Sequence, residues 1–84
     1  MSDAAKPLPQ PLLLADAGDG RSLETVQDVL DALTLAWPED ARGPRHRDAV
    51  ETCLKVIDGH RSASDAESAL FLAAEEAGFA LSRE

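Results

Sequence analysis

Pro38, Gly59 and Gly78 cut the greater part of the chain into segments, and each segment opens on its own helix-start signal. Proline cannot continue a helix, because it lacks the amide donor and clashes with the preceding turn. Glycine tolerates the left-handed conformation in which many helices stop. Such punctuation leaves room only for short helices that must bury their apolar stripes against one another or against a sheet. With 84 residues there is one core to build, and 44% hydrophobic against 29% charged residues is the balance of a globular chain.

Pro7, Pro9 and Pro11 suggest an extended lead-in over residues 1–10, with a single folded domain from 11 to 84. Leu12-Leu13-Leu14-Ala15 is too short a run for a helix before glycine intervenes, so it reads as a strand. A turn over Ala17-Gly18-Asp19-Gly20 returns through Arg21-Ser22-Leu23, making an N-terminal β-hairpin.

Thr25 and Asp28 have the spacing of a capping box, which starts a first helix with Val26, Val29, Leu30, Leu33 and Trp37 on one stripe. Pro38 ends it and places Trp37 at or just past the end, partly covering the core. Pro44 suits the first turn of a second helix, whose apolar face reads as Ala49, Val50, Cys53, Leu54 and Ile57, with Gly59 as its stop. Ser64 with Glu67 repeats the capping-box spacing, and Ser62 with Asp65 overlaps it as an alternative.

The third helix runs to about Ala77 on a stripe of Ala66, Ala69, Leu70, Ala73 and Ala77. Phe71 and Leu72 fall off that stripe and need a second surface, which is either the hairpin or another copy of the chain. After Gly78, Phe79-Ala80-Leu81 alternates in a way that adds a third strand. The expected fold class is α+β: a hairpin, three helices and a short C-terminal strand.

A net charge of −8 argues against nucleic acid and anionic lipid as partners. A helix-turn-helix reader is opposed by the stretch from Ser64 to Ala77, which holds Asp65, Glu67, Glu75 and Glu76 and no Lys or Arg. The N-terminus lacks a basic start followed by a long apolar run, and Leu12–Leu14 is too short to span a membrane. A single cysteine, Cys53, forms no internal disulfide. The expected compartment is the cytoplasm.

Against that acidic background Arg42-Gly43-Pro44-Arg45-His46-Arg47 carries three arginines. Arginines at a helix start oppose the helix dipole and are better tolerated if an anion or a carboxylate sits among them with the free amides. Arg42, Arg45, His46 and Arg47 are therefore candidate contacts for a small anion or an acidic partner. The plainer reading pairs them with Glu39, Asp40, Asp48 or Glu51 as solvated ion pairs.

His46, Cys53 and His60 recur every seven residues. That spacing is about 10.5 Å along a helix, too far for shared ligands that each lie about 2 Å from a zinc ion. Cys53 reads as a small buried residue and Ser62 and Ser64 as caps, with no local signature of a nucleophile. Glu39-Asp40 and Glu75-Glu76 read as solvated charge. We expect no enzyme, no cofactor and no metal.

The ordered pieces together resemble the small alphaproteobacterial proteins, best known from rhizobia, that carry domain of unknown function 982. The matching pieces are Gly20 to Val29 with Leu23, Thr25 and Asp28, then Leu33 to Trp37-Pro38, Ala49 to Gly59 with Cys53, and Ala66 to Gly78 ending Glu76-Ala77-Gly78. In that family an Arg and a Phe often stand at the positions of Glu67 and Leu70, so this chain departs from the pattern there. The resemblance implies a compact α+β domain in a bacterial cytoplasm and brings no catalytic residues with it.

Two functions remain. The first is a non-catalytic interaction or regulatory module that self-associates through Trp37, Phe71 and Leu72, because a core this small gains from apolar area added on dimerisation; in the plainer version all three close the monomer core. The second is a binder of small anions or acidic partners through the arginine cluster.

Overall fold

The structure is a computed structural model and describes residues 6–15 and 20–83. Three antiparallel strands, β1 (Pro7–Leu14), β2 (Arg21–Thr25) and β3 (Leu81–Arg83), form one sheet in the order β2-β1-β3. Leu12 lies opposite Leu23 on one side and Arg83 on the other, and Leu14 opposite Arg21 and Leu81. Leu8, Leu12 and Leu14 face inward while Leu13 faces out, the alternation required of a sheet covered on one face. Of the expected hairpin turn, residues 17–19 lie outside the described residues.

The sheet begins earlier than the prolines suggest. β1 starts at Pro7 and buries Leu8, so the boundary expected at residue 11 falls inside a strand. At its start β1 bonds to β2, the Lys6 carbonyl accepting from the Val26 amide, and the register with β2 then shifts between Pro7 and Leu12. Beyond its end the Ala15 amide donates to the Ala80 carbonyl, continuing the pairing with β3. β3 reaches only Leu12–Leu14, so Pro7, Pro9 and Pro11, which have no amide to give, stand in the stretch of β1 that β3 leaves unpaired.

The α-helices are α1 (Val26–Asp31), α2 (Pro44–Ile57) and α3 (Ala63–Ala77), with a short 3-10 turn at Glu39–Ala41 between the first two. Thr25 caps α1 with the expected box: its hydroxyl accepts from the Asp28 amide at 3.1 Å, and the Asp28 carboxylate accepts from the Thr25 amide at 3.1 Å. The helix does not run evenly to Trp37. From Ala32 to Ala36 it widens into a π-helical turn, where the Thr34 hydroxyl bonds back to the Leu30 carbonyl. Trp37 then leaves the helix in an extended conformation ahead of Pro38, as the proline requires.

α2 starts on Pro44 and stops before Gly59, whose φ of 86° is left-handed. Its buried face is His46, Ala49, Thr52, Cys53 and Val56, rotated from the expected one. Val50 and Ile57 are only half-buried and Leu54 is 49% exposed. α3 is capped by Ser62 with Asp65, the alternative of the two overlapping boxes, and Ser64 takes no part. It packs against α2 and β1, burying Ala66, Glu67, Leu70, Ala73 and Ala74.

Gly78 closes α3 with φ 76°. The next residue belongs to the cap and not to the sheet: the Phe79 amide donates back to the Ala74 carbonyl at 2.9 Å, and the Phe79 ring packs edge-on against Trp37. β3 therefore begins at Leu81, two residues later than the expected strand.

Candidate functional site

The start of α2 carries the most concentrated polar chemistry. Its N-cap residue, Gly43, has no side chain to satisfy the first amides, and Pro44 contributes none. The acceptor comes from the far end of α3. The Glu76 carboxylate accepts from the Arg45 amide at 3.2 Å and from the His46 amide at 3.4 Å. A carboxylate among the arginines was one of the expected solutions, and it is the chain's own. Glu76 is correspondingly not the idle surface charge that its place beside Glu75 suggests.

Two members of the cluster face the other way and close the π-helical turn. The Arg42 guanidinium donates to the Trp37 carbonyl at 2.9 and 3.1 Å and to the Thr34 carbonyl at 3.3 Å. His46 is buried, and its Nε2–H donates to the Leu33 carbonyl at 2.7 Å. These carbonyls stand at the end of a helix, where no further turn supplies donors, so the two side chains act as a C-terminal cap. The Trp37 indole N–H donates to the Ala41 carbonyl at 3.2 Å and lies beside the His46 ring.

Arg45 and Arg47 do not converge, since two residues along a helix turn the side chain through about 200°. Arg47 lines a depression of about 350 Å³ with Arg42, Gly43, His46, Val50 and Glu51. Arg45 lies in the separate groove between α2 and α3, about 290 Å³, with Asp48, Thr52, Lys55, Asp65 and Leu72 among its walls. Among the described residues neither guanidinium takes an ion pair with Glu39, Asp40, Asp48 or Glu51. The one sequence cluster is thus divided into a structural pair, Arg42 with His46, and two exposed cations on different sides of α2.

The expected apolar trio is also divided. Trp37 is 2% exposed and belongs to the core, so it is not available at the surface. Phe71 is half-buried beneath Arg83, whose guanidinium carbon lies 4.9 Å from the ring centre. Leu72 lines the α2–α3 groove and remains 43% exposed. Arg83 of β3 lies over Phe71, a cover from the C-terminal strand and not from the expected hairpin.

Other chemistry-bearing side chains are tied to architecture. Burial pushes the Cys53 thiol up to about 12, far from a reactive thiolate. Asp65 accepts from the Ser62 amide and from Arg61, both at 3.1 Å, and these bonds hold its carboxyl below the usual aspartate range. Glu67 is buried, and its Oε2 stands 3.5 Å from Arg83 Nε without a hydrogen bond. Among the described residues no group of three or more His, Cys, Asp or Glu is placed to hold a metal ion, and no helix is long and apolar enough to cross a membrane.

Fold and site together define a small α+β domain, with three strands and three α-helices around one core among the described residues, in which the polar groups at the α2 start are bonded largely to the chain's own backbone. The chain belongs to the family described as Protein of unknown function (DUF982), which residues 8–81 match. No curated protein and no solved structure matches it.

Proposed function

We propose that the protein is a non-catalytic interaction or regulatory module that associates with itself. The observation that supports this reading is the apolar surface left uncovered on α2, where Leu54 is 49% exposed and Val50 and Ile57 are only half-buried. The core rotates toward His46, Ala49 and Cys53 and leaves Leu54 outside, with Val50 and Ile57 partly buried at its margin. Sedimentation across a micromolar concentration series should show a reversible rise in mass. A mass that stays at one chain throughout removes the reading.

Arg47 supports a second reading, a small anion or acidic partner in the depression that it shares with Arg42 and His46. Binding there would weaken with added salt. Arg47→Ala would abolish it while Arg45→Ala, on the other side of α2, would leave it intact. Loss in both variants or in neither returns the arginines to solvated surface. We place the protein in an alphaproteobacterial cytoplasm, a setting implied by the resemblance and supported by a buried, unbridged Cys53.

A further inference from the structure

Arg47, Val50, Leu54 and Ile57 follow one another along α2 at steps of three, four and three. That is the spacing of the positions along which two helices pack side by side. The four lie on the flank away from α3, whose groove is walled by Arg45, Asp48, Thr52 and Lys55. Arg47 and Leu54 are exposed, while Val50 and Ile57 stand half-buried at the margin of the core.

The seam carries a charge at each end, and each charge is misplaced for its own helix. Arg47 stands near the start of α2, where the dipole is positive, and Asp58 ends it, where the dipole is negative. Among the described residues neither takes an ion pair. Turned end for end, a second α2 would bring its own Asp58 to Arg47 and its own Arg47 to Asp58. Leu54 of each copy would then pack against Val50 of the other. The same logic already operates within the chain, where Glu76 at the unfavourable end of α3 is taken up by the amides that open α2.

We propose that the chain forms a two-fold symmetric dimer by antiparallel pairing of α2 along Arg47, Val50, Leu54 and Ile57, closed at both ends by contacts between Arg47 and Asp58. This rests on the self-association reading above and names its surface and partner, a second copy of the chain. A single pair of helices of 14 residues is a small interface, so the dimer is a reversible one that forms in the micromolar range.

Sedimentation velocity on wild-type protein and three surface variants tests it. Leu54→Glu, Arg47→Glu and Asp58→Lys are each expected to raise the dimer dissociation constant by about tenfold or more, since like charges or a buried carboxylate would then meet. Circular dichroism should stay that of the wild type, because all three positions are exposed. Mixing Arg47→Glu with Asp58→Lys is expected to restore dimers, because opposite charges again face each other at both ends. Wild-type protein that remains monomeric overturns the self-association reading and this dimer with it. A wild-type dimer untouched by Leu54→Glu overturns the α2 surface but leaves self-association standing. A dimer lost in Leu54→Glu yet indifferent to the charge reversals and their mixture overturns the antiparallel arrangement.

Discussion

Gly43 has an ordinary φ of −119°, so the backbone there does not demand glycine. What excludes a side chain is the Glu76 carboxylate, since a methyl group on Gly43 would stand 2.7 Å from it. Gly43→Ala is expected to displace that carboxylate and leave the Arg45 and His46 amides uncapped, a loss of about 1 kcal/mol. Glu76→Ala should lose a similar amount. Urea denaturation of both variants and the double mutant checks this: alanine at position 43 should cost much less once Glu76 is gone, because the two changes remove the same contact. Additive costs would mean that Gly43 is selected for some other reason.

At the scale of elements, the acid limb of stability should report on the start of α3. The Ser62 amide first and then Arg61 hold the Asp65 carboxyl below its usual value of 3.8. A lowered native value means that the carboxylate's contribution is complete above the ordinary value and is lost as pH falls through the native one. Asp65→Asn is therefore expected to flatten the acid end of a plot of melting temperature against pH and to leave its neutral part less changed in slope. A wild-type and a variant curve that run parallel in acid would disconnect Asp65 from stability.

The ends of the helices were legible because their signals are local, whereas the starts of β1 and β3 were not. Thr25 with Asp28, Pro38, Pro44, Gly59 and Gly78 each act on backbone groups within a few residues, and each does what its chemistry implies. The facing of α2 was not legible, because its apolar residues cover an arc wider than the core and only the positions of α1 and α3 decide which part is buried. The arginine cluster was visible as a charge anomaly, but its division was not. Arg42 and His46 find carbonyls released by the π-helical turn, and Glu76 arrives from 30 residues away. A clue to Glu76 was present: a helix that opens Gly-Pro has no capping side chain of its own, and an acid in the last turn of α3 opposes that helix's dipole.

For the whole molecule, Cys53 is a built-in reporter of opening. It is fully buried among the core residues, and burial pushes its thiol up to about 12. Alkylation by iodoacetamide should be very slow in the folded protein and complete in denaturant, with the native rate following the fraction of molecules that open. Destabilising substitutions such as Glu76→Ala should speed it exponentially with the stability they remove, about fivefold for each kcal/mol. Reaction at the rate of a free thiol without denaturant would contradict the burial.

The prolines of β1 have a consequence for how such a molecule behaves when concentrated. A long unpaired strand margin is ordinarily a template on which other chains add, layer upon layer, into fibrils. Here the stretch of β1 that β3 leaves bare contains Pro7, Pro9 and Pro11, so an invading strand would meet three residues with no N–H to give. Growth along that margin has no foothold. Crowding the molecules gives their sheets no ladder to extend along that margin.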